Sequence, residues 1–230
     1  MRTKRLWLVG ALLAGAVVLG AAQEETLQVV IHAFGQGRAG NGEWVELLVV
    51  GTGPGSTVDL RGWVFRDHQG LDRGGVYLTF TDHPLWAEVR AGTLVVFYNA
   101  GDRPNLPPHF PDDDVDPADF VLVLPAVTGD YFVLAQWAGL GNTGDSLVLL
   151  DAEGRLVDGL SYADRSGQLP QIPNVGRGQA AGYVGTSVVG VNDPALWVVG
   201  PDAPGGSNPG APNSEENRAW IEQLRSAAQE

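Results

Sequence analysis

Cysteine is absent from the 230-residue chain, which excludes disulfides, thiolate metal sites and a cysteine nucleophile. Lysine occurs once, at Lys4, and methionine once. Beyond residue 22 the basic residues are 11 arginines set against 27 acids, so the formal charge there is −16, compared with −13 for the whole chain. Affinity for nucleic acid comes largely from neutralising phosphates with Lys and Arg, so no nucleic-acid partner is expected. The four histidines, His32, His68, His83 and His109, all lie more than four residues apart. The sequence has neither a G-x-S-x-G elbow nor an H-E-x-x-H pair, which removes the local signatures of a serine hydrolase and a zinc protease. What is abundant is Gly (32), Pro (15) and a 44% hydrophobic fraction that includes seven Trp. That is enough apolar material for a core, so global disorder is excluded.

Residues 1–22 form a unit of their own. Arg2, Lys4 and Arg5 precede an uncharged run from Leu6 to Leu19, followed by Gly20-Ala21-Ala22 and then Gln23-Glu24-Glu25. A basic start, an apolar stretch and small residues before a polar switch are the layout of a secretory signal peptide. The expectation is a cleaved signal and an exported product that is periplasmic, at the cell surface or extracellular. An uncleaved anchor is the alternative, because about 17 apolar residues lie at the short edge of what spans a bilayer. No second segment is long enough to cross, so no membrane span is expected after cleavage.

Short runs of β-formers dominate the rest. They are Leu27 to Phe34, Glu43 to Val50, Trp63 to Phe65, Val76 to Phe80, Thr93 to Tyr98, Phe120 to Leu124, Tyr131 to Ala135, Ser146 to Leu150, Leu156 to Tyr162 and Trp197 to Val199. Gly-rich turns separate them, and Asp151-Ala152-Glu153-Gly154 reads as a hairpin turn. Many short strands without intervening helical periods indicate an all-β sandwich or barrel. Residues 23–213 are assigned to this domain, with a Pro-rich loop insertion at about 99–119. Only 214–230 carries a helical signal. Ser214 is a candidate N-cap, Glu215 and Glu216 occupy the first turn, and Trp220, Leu224 and Ala227/Ala228 recur at helical spacing. Trp220, Ile221 and Leu224 either dock on the domain or offer a contact to a partner.

Two Gly patterns, Gly35 to Gly40 and Gly139 to Gly144, match G-x-G-x-x-G. Each leads into a strand and not the helix whose N-terminus a dinucleotide phosphate needs, so they read as turns. His68 and His83 each follow an Asp, but strand neighbours point to opposite faces, so a shared site there is not expected. The sharpest chemical feature is Asp112-Asp113-Asp114-Val115-Asp116-Pro117-Ala118-Asp119. Alternating oxygen ligands suit calcium, which makes Asp112, Asp114, Asp116 and Asp119 candidate metal ligands. The EF-hand frame fails, with Pro117 at its sixth position and Val123 at its twelfth, so a solvated acidic loop is the competing reading.

Six segments taken in order resemble a lamin-tail domain. They are Gly42-Glu43-Trp44-Val45-Glu46-Leu47, Asp59-Leu60-Arg61-Gly62-Trp63-Val64-Phe65-Arg66-Asp67, Ala91-Gly92-Thr93-Leu94-Val95-Val96-Phe97, Gly139 to Asp151, Gly154 to Tyr162 and Ser207-Asn208-Pro209-Gly210-Ala211-Pro212-Asn213. The resemblance covers roughly residues 27–213 and implies an immunoglobulin-like β-sandwich, with Trp44 and Trp63 in a core between two sheets. It also implies a non-enzymatic binding or scaffolding module of the cell envelope whose partner is a protein or an envelope polymer, with no catalytic residue to carry over. A calcium-stabilised structural or adhesion protein and an accessory protein of a secreted hydrolase or nuclease system are the alternatives.

Overall fold

A computed structural model describes residues 28–38, 41–67, 75–163 and 169–226. The expected signal peptide (1–22), His68 and Ala227/Ala228 lie outside the described residues. Among the described residues fourteen strands and one α-helix follow one another: β1 (Val29–Gly35), β2 (Trp44–Val49), β3 (Thr57–Val58), β4 (Val64–Asp67), β5 (Val76–Phe80), β6 (Val89–Arg90), β7 (Leu94–Asn99), β8 (Val121–Ala126), β9 (Phe132–Trp137), β10 (Asp145–Leu150), β11 (Leu156–Tyr162), β12 (Gln171–Ile172), β13 (Gln179–Tyr183), β14 (Trp197–Pro201) and α1 (Glu215–Arg225). They form two six-stranded sheets, in the orders β14-β13-β1-β2-β7-β8 and β12-β11-β10-β4-β5-β9, with β3 and β6 as a separate pair. This is the all-β sandwich expected from the strand pattern.

The core lies between the sheets, and aromatic rings bridge it. Phe65 of β4 meets Phe97 of β7 edge-on at 5.0 Å, and Phe34 of β1 meets Tyr162 of β11 at 5.2 Å. Phe80, Trp86 and Phe132 complete the cluster at 4.9–5.5 Å. All seven rings are almost fully buried. Each contributes roughly 2–3 kcal/mol of hydrophobic transfer, at about 25 cal/mol per Å² of apolar area. The hairpin at Asp151 forms as expected: Asp151 Oδ1 accepts from the Glu153 and Arg155 amides (3.0 and 2.8 Å), and Gly154 takes φ +77°.

The first sheet is covered on both faces. Along β2, Val45, Leu47 and Val49 face the sandwich core, whereas Trp44 joins a second buried cluster with Ala33, Val96, Tyr98, Phe110 and Val123. Trp44 is therefore buried, but not between the two sheets as expected. The alternation of a strand places it on the opposite face from Val45. Its cover is the segment between β7 and β8. These two strands pair in parallel, Leu94 with Val121 through Asn99 with Ala126, so the chain must return along the whole strand length before it can pair again. The long Pro-rich stretch at 99–119 is that return. Phe110 on it packs edge-on against Trp44 (6.1 Å) and Tyr98 (5.5 Å), and Arg103 stacks over Tyr98 at 5.3 Å.

The C-terminal segment covers the rest of this face. Ser214 caps α1 by accepting from the Asn217 amide at 3.0 Å. Ile221 and Leu224 are buried in the main core and Trp220 packs against it, its ring 6.3 Å from Tyr183. Of the two readings of Trp220, Ile221 and Leu224, docking on the domain is the one observed. Among the described residues no helix is long and apolar enough to cross a membrane.

Candidate binding site

The acidic stretch is bound up in its own turns. Asp114 Oδ1 accepts from the Asp116 amide (2.8 Å), Asp116 Oδ1 from Ala118 (2.9 Å) and Asp119 Oδ1 from Val121 (2.9 Å). Asp112 pairs with Arg103 at 3.2 Å, and Asp113 accepts from Tyr98 Oη at 2.8 Å. Short Asp side chains readily bond a backbone N–H two residues on, and that habit fixes the shape of the crossover. Among the described residues no three His, Asp or Glu side chains are placed to hold a metal together. His83 is equally engaged: Nδ1 accepts from the Leu85 amide at 3.1 Å and the ring lies 4.6 Å from Tyr131.

A cleft of about 300 Å³ opens where the crossover meets the segment after β14. Pro104, Leu106, Pro107 and Pro108 form an apolar wall, and Arg38 and Asp202 supply charge. Asp202 is held from beneath. Trp44 Nε1 donates to its carboxylate (3.2 Å to Oδ2), and Ser207 Oγ donates to Oδ1 at 2.8 Å. Burial raises its pKa, and the Ser207 and Trp44 bonds offset part of that rise. Gly35 is required here: a Cβ at this position would collide with the Trp44 indole and come within 2.6 Å of Asp202 Oδ2.

His109, Ser207 and Asp202 form a chain of contacts that invites comparison with a catalytic triad. His109 Nε2 lies 3.1 Å from both the carbonyl oxygen and Oγ of Ser207. A carbonyl can only accept, so Nε2 carries the proton. The Ser207 proton goes to Asp202. In a triad the imidazole stands between the two and takes the serine proton; here the serine stands in the middle and its proton is directed away from the imidazole. The arrangement anchors Asp202 and the crossover in place.

Sequence reasoning missed Arg38, His109, Asp202 and Ser207. Trp44 and Asp202 are 158 residues apart, so no local spacing announces them. The one available signal is that Asp202 sits in Pro201-Asp202-Ala203-Pro204-Gly205-Gly206, an irregular stretch where an Asp is free to serve a loop.

At the end of the sandwich formed by the 139–144 loop lies a second polar group, this one fully enclosed. Gln36, Glu43, Asp67, Asp145 and Tyr162 are each at most 1% exposed. Burial pushes Glu43 up to about 7, against hydrogen bonds donated to Oε2 by Leu140 N (2.9 Å) and Trp137 Nε1 (3.0 Å). Burial likewise pushes Asp67 up to about 7, and the Asp145 carboxylate beside it adds to the shift. Burial also raises the Tyr162 phenol, with Asp145, Glu43 and Asp67 contributing. Compared with known proteins, the sequence matches no family model and no curated protein.

Proposed function

We propose that the chain is an exported, non-enzymatic binding or scaffolding module of the cell envelope, built on a lamin-tail-like sandwich and engaging a protein or envelope polymer. The observation that carries this reading is the cleft between Arg38 and Asp202. It is loop-built, lies on a sheet buried on both faces, and combines an apolar wall with two opposite charges. Loops positioned by a rigid scaffold are where proteins place recognition, and concave sites with few polar groups are where ligands are held. The protonation of His109 Nε2 and the direction of the Ser207 hydroxyl support binding over hydrolysis. The basic, apolar and small-residue succession of residues 1–22 supports export.

The test is saturation binding of the chain without residues 1–22 to purified cell-wall polymer and to purified envelope protein. Saturable binding that weakens at least tenfold in Arg38→Ala, at an unchanged melting temperature, and likewise in Asp202→Asn is the expected result. Binding that fails to saturate, or that ignores both substitutions, overturns the reading.

A further inference from the structure

We propose that the groove beside β8, between the acidic stretch and the turn into β9, docks a basic peptide segment of a partner protein. The aliphatic stems of its Lys or Arg side chains rest on an apolar floor, and their charged ends meet Asp114 and Asp130. The groove encloses about 430 Å³. Backbone pairing builds one wall: Asp114 exchanges hydrogen bonds with Val123 (2.8 and 2.9 Å), which brings Val115 alongside β8. The other wall is the turn after β8. Gly129 N donates to the Phe132 carbonyl at 2.9 Å, and Thr128 Oγ1 bonds both Leu134 N and the Leu134 carbonyl at 3.1 Å. Trp86 Nε1 donates to the Tyr131 carbonyl at 2.8 Å. Both walls are therefore held before anything binds, which lowers the ordering cost of binding.

Apolar side chains are left uncovered here. Val115 is 43% and Val127 44% exposed, and half-buried Pro125 and Tyr131 line the same groove. Its carboxylates are open as well. Asp113 is engaged, accepting from Tyr98 Oη at 2.8 Å and lying 3.7 Å from Arg103. Asp114 uses only Oδ1, on the Asp116 amide, and among the described residues no ion pair involves Asp114 or Asp130. Among the described residues that line the groove none is basic.

Charge complementarity selects the occupant. A second copy of the chain would bring more acid, with 27 acids against 11 arginines beyond residue 22, and like charges across an interface are costly. An anionic polymer is repelled for the same reason. A wholly apolar partner would strip water from the carboxylates and return no hydrogen bond. Lys and Arg answer both halves of the groove: the methylene stem covers apolar surface while the charged end stays beside the acids. The Tyr131 ring adds an aromatic surface that attracts cations. The edge of β8 is closed by the Asp114 pairing and by Pro125, which has no N–H, so recognition runs through side chains and not through an added strand. The groove shares no lining residue with the Arg38–Asp202 cleft.

Fluorescence anisotropy of the full chain with a labelled Gly-Lys-Ser-Lys-Ser-Lys-Gly peptide tests this. The expected result is saturable binding that weakens roughly tenfold in Asp114→Asn/Asp130→Asn; Asn at 114 can still accept from the Asp116 amide. Glu153→Gln/Glu216→Gln, which removes the same charge from exposed positions elsewhere, leaves binding unchanged. Val115→Ser/Val127→Ser weakens it roughly fivefold, as does a peptide with diaminobutyric acid for lysine, which keeps the charge on a shorter stem. If the valine variant melts lower than wild type, the shortened peptide on the wild-type chain decides. A wild-type chain that does not saturate overturns the proposal. Equal losses in the two charge variants mean diffuse attraction and overturn it too. Undiminished binding of the shortened peptide shows that the apolar floor is unused, which also overturns it.

Discussion

Buried carboxylates give individual residues an unusual influence on the pH dependence of this molecule. Asp158 accepts from Ile31 N (2.7 Å) and Gly159 N (2.8 Å), yet burial still pushes it up to about 6, while Glu43 and Asp67 reach about 7. Unfolded, these groups release their protons near pH 4. Between pH 4 and 7 the folded chain therefore holds protons that the unfolded chain has lost, and the contribution of these groups to stability is lost as pH rises through 6 and 7. Asp59 acts in the other direction, since the Arg61 side chain holds it below its ordinary value. That pair is exposed, so its contribution is small; it is present above about pH 4 and is lost as pH falls below that. In EDTA the melting temperature should fall by about 5 °C between pH 5 and pH 8, and Asp67→Asn should flatten part of that slope. A melting temperature that rises over this interval would count against the burial of all three groups.

At the scale of elements, the crossover between β7 and β8 is fastened by Phe110 more than by its acids. Phe110→Ala removes the ring that covers Trp44 and Tyr98 and should cost about 3–4 kcal/mol in urea unfolding. Asp116→Ala, which removes only a turn cap, should cost about 1 kcal/mol. Equal costs would mean that the loop is held by its turns and not by its packing. The ten runs of β-formers between Leu27 and Val199 were legible as strands because Val, Leu, Ile and Phe leave little alternative. β13 was not, because Gln179-Ala180-Ala181-Gly182-Tyr183 lacks β-branched residues. Its small side chains are needed where the C-terminal segment crosses: a Cβ on Gly182 would lie 2.7 Å from Asn213 Cγ. The parallel pairing of β7 and β8 was hidden too, so a required return path read as an insertion. The helix was legible from Ser214 and its apolar spacing, but its docking depends on contacts such as Asn217 Oδ1 with His32 Nε2 at 3.0 Å, 185 residues away. The same distance in sequence concealed the Arg38–Asp202 cleft and the Gln36–Asp67–Asp145 group, whose members are individually unremarkable polar residues.

For the molecule as a whole, charge decides which partners can approach. With 27 acids against 11 arginines beyond residue 22, a polyanion meets a repulsive surface. The chain should show no retention on DNA or heparin resin even at low salt; retention that fades with salt would reverse this expectation. One sheet edge is also guarded against other copies. β8 ends its sheet, and there Asp114 exchanges backbone hydrogen bonds with Val123 (2.8 and 2.9 Å) while Pro125 offers no N–H. Proline and charge on an edge strand discourage intermolecular pairing.

The place of β1 bears on how the molecule comes together in time. β1 is the first strand among the described residues, yet it lies inside its sheet between β2 and β13, with Ala33 opposite Gly182. During synthesis it can pair early on one side only. The strand that closes its other side emerges after most of the sandwich, and the segment and helix that cover the sheet come later still. Contacts that span so much of the chain slow folding. The nascent polypeptide therefore carries an open seam beside β1 until β13 has been made, and α1, later still in the chain, joins the cover over that sheet.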